Sequence, residues 1–184
     1  MSLILKEVFL RSLPLLGDRV ELRLFCKEHI TNQYLNWLNN KEIMRYSNQR
    51  FKFHDEISSQ AYLKSFENTE NILLAIYLAN TDRFVGTMTV YFSIPHETAD
   101  IGILIGDKSM WGQGIGKDAW TTLMSFLMDT GLVRKITGGA LRCNVGMVNL
   151  MVNSNMQPDG VRFGQELFEG LPQDILYFAC YRNE

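Results

Sequence analysis

The chain predicts a mixed α/β architecture of packed layers. Three observations lead there. Val20, Leu22 and Leu24 alternate with Glu21 and Arg23, the pattern of a half-buried strand. The stretch from Ala99 to Gly131 reads as strand, glycine loop, then amphipathic helix. The whole order is strand, two helices, three strands, helix, strand, helix, hairpin.

In chain order, Leu5 to Leu16 is open between a short strand and a helix packed on an edge, stopped by Pro14 and Gly17. Asp18 to Phe25 is the first clear strand. Thr31 caps a helix whose apolar positions are Tyr34, Leu35, Trp37 and Leu38, and Asn39-Asn40 ends it. Glu42 to Arg50 is a connection holding at most one helical turn. A second helix runs from His54-Asp55 to Phe66, with Ile57, Ala61, Tyr62 and Phe66 inward. Asn71 to Leu78 and Phe84 to Ser93 form a hairpin around Asn80-Thr81-Asp82. Ile94 to Glu97 turns the chain into the strand Ala99 to Ile105. The helix after the glycine loop buries Ala119, Leu123 and Leu127, with Trp120 and Met124 beside them, and Gly131 sits at its C-cap. Lys135 to Cys143 is a strand that Gly138-Gly139 weakens or bulges. Asn144 to Asn155 is a helix with Met147, Leu150 and Met151 inward, stopped by Pro158-Asp159-Gly160. Val161 to Phe168 and Ile175 to Tyr181 close the chain as a hairpin.

A length of 184 residues fits one domain, 1–184, with 1–17 as an N-terminal extension. With 46% hydrophobic and 21% charged residues, the composition is that of a soluble globular protein. The formal charge of −2 leaves no electrostatic footprint for nucleic acid. Cys26, Cys143 and Cys180 are odd in number and far apart, which fits reduced thiols and neither a disulfide framework nor a metal site. Lys6, Glu7 and Arg11 interrupt the apolar N-terminus, so it is a poor signal peptide, and no apolar run approaches a membrane span. The expected setting is cytoplasmic, as a monomer or homodimer.

The glycine loop carries the chemistry. Glycines at 112, 114 and 116 let a ligand approach the backbone, and the following helix begins with unpaired N–H groups and a favourable dipole for anions. A diphosphate suits such a junction. The spacing G-x-G-x-G is not the dinucleotide fingerprint G-x-G-x-x-G. Walker A also fails, because Gly112 to Gly116 is one residue short and Asp118 follows Lys117. A nucleotide-binding protein of another fold is therefore a distant alternative.

Trp111-Gly112-Gln113-Gly114-Ile115-Gly116-Lys117, preceded by Asp100-Ile101-Gly102-Ile103 and followed by a helix, resembles the acetyl-CoA site of the GNAT superfamily of N-acyltransferases. The family pattern is Q/R-x-x-G-x-G/A. Gly114 and Gly116 match it, whereas Trp111 stands at the leading Gln/Arg position. A Trp-Gly lead-in is similar to the subgroup of ribosomal-protein N-terminal and amino-sugar acetyltransferases. The resemblance implies a central, mostly antiparallel sheet, splayed between the strands 99–105 and 135–143 and flanked by helices.

The resemblance further implies an acetyl-CoA-dependent N-acetyltransferase that acts by direct transfer to a primary amine. The acceptor would be a small metabolite, an amino-sugar nucleotide or a protein N-terminus. Ile103, Leu104 and Ile105 would pair with the pantetheine arm through their main chain. Gln113, Gly114, Ile115, Gly116 and Lys117 would hold the pyrophosphate, and Asn144, with Asn149 as a second polar candidate, would bond the arm. Asp100 is the candidate general base, set against its reading as a solvated strand-end aspartate. Trp37, Tyr46, Arg50, His96, Arg162 and Tyr177 are acceptor-site candidates, the two arginines because a phosphate or carboxylate would want them. The positions where relatives carry a Ser and a Tyr general acid fall on Met147 and Met151, which cannot donate a proton. Ser154, Tyr177 or Tyr181 are possible substitutes, and a catalytically silent CoA-binding module is the alternative.

Overall fold

The computed structural model describes residues 2–182. Among the described residues there are five α-helices and eight strands, which from β2 onward follow the predicted order: α1 Ser2–Arg11, β1 Leu15–Leu16, β2 Val20–Leu24, α2 Asn32–Asn39, α3 Glu56–Lys64, β3 Ile72–Leu78, β4 Phe84–Ser93, β5 Thr98–Ile105, α4 Ile115–Asp129, β6 Lys135–Leu141, α5 Val145–Val152, β7 Gln157–Phe168 and β8 Leu171–Tyr181. The strands form one sheet in the order β1-β2-β3-β4-β5-β6-β8-β7. Every neighbouring pair is antiparallel except β5–β6, which is parallel.

Each face of the sheet has its own core. One lies against α1, α4 and α5, where Ala119, Trp120, Leu123 and Leu127 of α4 are fully buried with Ile101 and Ile136 of the sheet. Each such large side chain contributes about 1.5–3 kcal/mol. The segment left open between strand and helix is both: α1 buries Phe9 edge-on against Phe126, with ring centroids 5.0 Å apart, and Leu15 then pairs with Leu22. The other core gathers Phe25, Tyr34, Trp37, Phe66 and Phe84 beneath α2 and α3. Thr31 caps α2 as expected, accepting from the Tyr34 amide.

Four expectations change. In α3, Ile57 is 80% exposed and Ala61 and Tyr62 also face solvent, whereas Ser59, Leu63 and Phe66 turn inward. The reciprocal cap between Asp55 and Ser58 sets the start of α3, and the 59/63/66 spacing then falls on the core side. Leu24 is exposed at the end of β2. Gly138 and Gly139 make no bulge, since the β6–β8 register runs unbroken from Lys135↔Tyr181 to Leu141↔Ile175. They are small because the Trp120 ring lies 3.1 Å from where a Cβ on Gly138 would stand, and the Tyr177 ring 2.9 Å from one on Gly139. Finally, α5 ends at Val152 and Asn155 leaves it at φ 60°, so Pro158-Asp159-Gly160 lies inside β7. The edge position of β7 tolerates the proline, and the register shifts there.

Trp37 is a core residue, 6% exposed, and its ring occupies the space beside Gly106, where a Cβ would come within 2.1 Å of it. A Gly106→Ala substitution is therefore expected to destabilise the fold by about 1–3 kcal/mol or more through overpacking. Chemical denaturation at equilibrium measures this, and an unchanged midpoint would contradict the assignment.

Candidate functional site

The sheet opens at the one parallel pairing among the described residues. β5 and β6 are bonded from Thr98↔Lys135 to Asp100↔Thr137 and then part. The Gly106 amide donates to the Val85 carbonyl at 2.9 Å, so the β4–β5 ladder also bonds Leu104 to Thr87 and Gly102 to Thr89. The main-chain groups of Ile103 and Ile105 consequently face the opening. Leu104, expected to offer its amide there, turns it to β4. Trp111 uses the free edge: its indole N–H donates to the Ile105 carbonyl at 2.8 Å. The residue that departs from the usual leading position thus fastens the loop to β5.

Beyond Trp111 the backbone takes positive φ at Gly112 (71°) and Gly114 (80°), and Gly114 caps α4 with no side chain of its own. The first internal bond runs from Asp118 N to Gly114 O. Among the described residues the amides of Ile115, Gly116 and Lys117 have no partner, and they open at the helix N-terminus. The Gln113 amide instead donates to the Met110 carbonyl at 3.4 Å. Two residues not foreseen hold this junction. The Arg19 guanidinium donates to the Gln113 carbonyl, and Asp118 accepts from the amides of Arg19 (2.9 Å) and Val20 (3.1 Å).

These elements enclose a cleft of about 690 Å³, lined by Ile103, Ile105, Trp111, Gly114, Gly116 and Lys117, and by α5 on the far side. Asn144 lines it too, with its Oδ1 committed to capping α5 at Met147 N, 3.2 Å away. Asn149 does not: it is exposed on α5 and outside the cleft lining, one helical step from the residues that face inward. Met147 lines the cleft and Met151 is fully buried, so no hydroxyl stands at either position.

Asp100 lies where the strands part, in a side chamber of about 260 Å³ with Tyr46, Asn48, Glu166 and Tyr177. Solvent reaches its carboxylate through the chamber, yet protein crowds it on the other sides. This desolvation pushes its carboxyl above the ordinary aspartate range, while the Thr137 hydroxyl, donating to Oδ2 at 2.8 Å, pulls it back in part. Glu166 was not foreseen; Asn48 Nδ2 donates to it at 2.7 Å. The roof is the β7–β8 hairpin, tied to the 45–50 segment by Arg45–Glu169 at 2.7 Å and by Tyr46 stacked on Phe168 at 5.3 Å.

The acceptor candidates separate. Tyr46 and Tyr177 line the chamber. Trp37 is core. Arg50 spends its guanidinium on the carbonyls of Ser47 (2.9 Å) and Leu167 (3.1 Å), so it is a strut of the roof. Arg162 lies over the Tyr177 ring at 5.2 Å, outside the chamber lining. His96 sits in the turn before β5, outside every lining given above, with its carbonyl accepting from Arg134. Of the substitute acids, Ser154 is buried away from the cleft and the Tyr181 hydroxyl donates to Asp159 at 2.9 Å. Tyr177 remains.

Among the described residues no group of three or more metal-ligating side chains converges, and no helix is long and apolar enough to cross a membrane.

Residues 19–157 match the family model described as an acetyltransferase (GNAT) domain. No curated protein matches the chain in sequence. In structure it is similar to an acetyltransferase (GNAT family) from Bacillus anthracis, with a TM-score of 0.77, 15% identity, and 92% of this chain and 99% of that one covered. It is also similar to a ribosomal L7/L12 alpha-N-protein acetyltransferase in complex with coenzyme A (TM-score 0.78, 17% identity, 90% and 95% covered). A third similar structure is the Vibrio cholerae spermidine N-acetyltransferase in complex with CoA and spermine (0.77, 17%, 89% and 95%).

Proposed function

The chain belongs to the GNAT acetyltransferase family, and on that premise we propose that it moves an acetyl group from acetyl-CoA directly to a primary amine. The observation that carries this is the convergence on one cleft of Gly116 and Lys117, whose amides are unpaired at the start of α4 as is that of Ile115, with the free main-chain edge of Ile103 and Ile105. The amides suit a diphosphate and the edge suits an extended amide-bearing arm.

Acetyl-CoA, when bound, supplies an activated acyl carbon whose C–S bond breaks as the new C–N bond forms, the electron pair leaving on sulfur. The chain's own groups do the rest. The loop amides hold the anion, and Lys117 adds positive charge beside them. Asp100, deprotonated, takes the proton that the amine gives up, directly or through water. Tyr177, in the same chamber, supplies the proton for the leaving thiolate. A cytoplasmic setting belongs to the same reading.

Calorimetric titration with acetyl-CoA, with ATP and NAD as controls, tests the cofactor. Binding of acetyl-CoA alone is expected, followed by thiol release with an amine acceptor. No binding by folded protein would overturn the reading. Met147 and Met151 favour one second reading, a silent CoA-binding module; tight binding without thiol release across small-metabolite, sugar-nucleotide and peptide amines would establish that instead.

A further inference from the structure

The start of β2 is tied to the first turn of α4. The Asp118 carboxylate accepts from the amides of Asp18 (3.4 Å), Arg19 (2.9 Å) and Val20 (3.1 Å). The main chain of Arg19 is thereby fixed beside the glycine loop, and its guanidinium donates to the Gln113 carbonyl. Arg19 does not line the cleft, whereas Gly114 does, so the guanidinium holds the loop from behind.

What it holds is a peptide that can point either way. Gly114, at φ 80° and ψ −2°, has the backbone angles of the third residue of a type II turn, and the central peptide of that turn joins Gln113 to Gly114. Turning this peptide over gives a type I turn, in which the third residue takes negative φ. The C=O and N–H of a trans peptide point in opposite directions. With the carbonyl held behind the loop, the Gly114 N–H points toward the cleft, and it has no partner among the described residues. Turned over, the peptide would present the Gln113 carbonyl oxygen to the cleft and repel an anion there. Resting on the acetyl-CoA reading above, we infer that Arg19 is a positioning residue. It selects the orientation of the 113–114 peptide that adds the Gly114 amide to those of Ile115, Gly116 and Lys117 as donors to the diphosphate. Arg19 itself touches no atom of acetyl-CoA, and Asp118 is its footing.

The test is calorimetric titration of the full chain with acetyl-CoA, in the parent, in Arg19→Met and in Arg19→Lys. Methionine keeps an aliphatic stem and removes the donor, whereas lysine returns a donor and a charge. Arg19 is exposed, so folding is not at stake, and a thermal melt checks it. Arg19→Met is expected to bind about tenfold or more weakly, the loss of one hydrogen bond to a charged group, and Arg19→Lys to recover most of that loss. A crystal structure of unliganded Arg19→Met is expected to show Gly114 at negative φ. Parental affinity in Arg19→Met, or no recovery with lysine, would overturn the inference. So would a weakened Arg19→Met whose Gly114 keeps φ near 80°, because Arg19 would then act by touching the ligand. Absent acetyl-CoA binding by the parent would overturn the acetyltransferase reading instead, so the two failures are distinguishable.

Discussion

A Gly114→Val variant is expected to lose measurable acetyl-CoA binding. Gly114 holds φ 80° at the N-cap of α4, a conformation costing an L-residue about 1–2 kcal/mol and disfavoured further by β-branching. Its Cβ would come into ordinary contact, at 3.4 Å, with the Arg19 guanidinium that braces the loop, so the backbone conformation is what excludes the side chain. Relieving the strain at this φ rotates the turn, and with it the amides of Ile115, Gly116 and Lys117. Hydrogen bonds to a charged group are worth about 1.5–3 kcal/mol each, so misaligning two of them costs more than about 100-fold in affinity. Titration measures it, beside a thermal melt showing that the variant is folded. Parental affinity would detach the loop from the diphosphate.

Asp100→Asn is expected to lower turnover by about 100- to 10,000-fold while leaving acetyl-CoA affinity intact, the size of a lost general base. The pH dependence gives an independent readout. The base acts ionised, so kcat/KM should fall as pH drops through the raised pKa of Asp100, at a pH above the ordinary aspartate range. That acidic limb should vanish in Asp100→Asn. The sign for stability is opposite. A carboxyl raised by the fold contributes most stability below its unfolded pKa and loses it as pH rises through the folded one. At neutral pH the asparagine variant is therefore expected to melt no lower than the parent. Unchanged turnover, or an acidic limb that survives the substitution, would remove Asp100 from the mechanism.

Much of this was legible locally. The strand–glycine–helix junction is written in fewer than forty consecutive residues, because positive φ, a helix start and an apolar stripe are each near-neighbour properties. The α2 cap at Thr31 and the hairpin turn at Asn80 are equally local. What misled was the face that a residue presents. Trp37 and Ile57 share the apolar character of an inward residue, yet one is core beside Gly106 and the other faces water. Arg50 and Arg162 looked like free cations until the hairpin and Tyr177 occupied them.

By itself the sequence determined the element order, the loop that suits a diphosphate, and Asp100 at the head of β5. These rest on backbone preferences and periodicity, which act over a few residues. Only the tertiary structure decided which groups share the cleft. Arg19 meets the loop 94 residues away, and Asp118 takes amides 98 and 99 residues away. Asn48 and Glu166 are 118 apart, and the ladder that turns Leu104 away leaves Ile103 and Ile105 facing the opening. Such pairings depend on register and sheet order, and those are set by burying two cores at once, a condition on the whole chain that no short window contains.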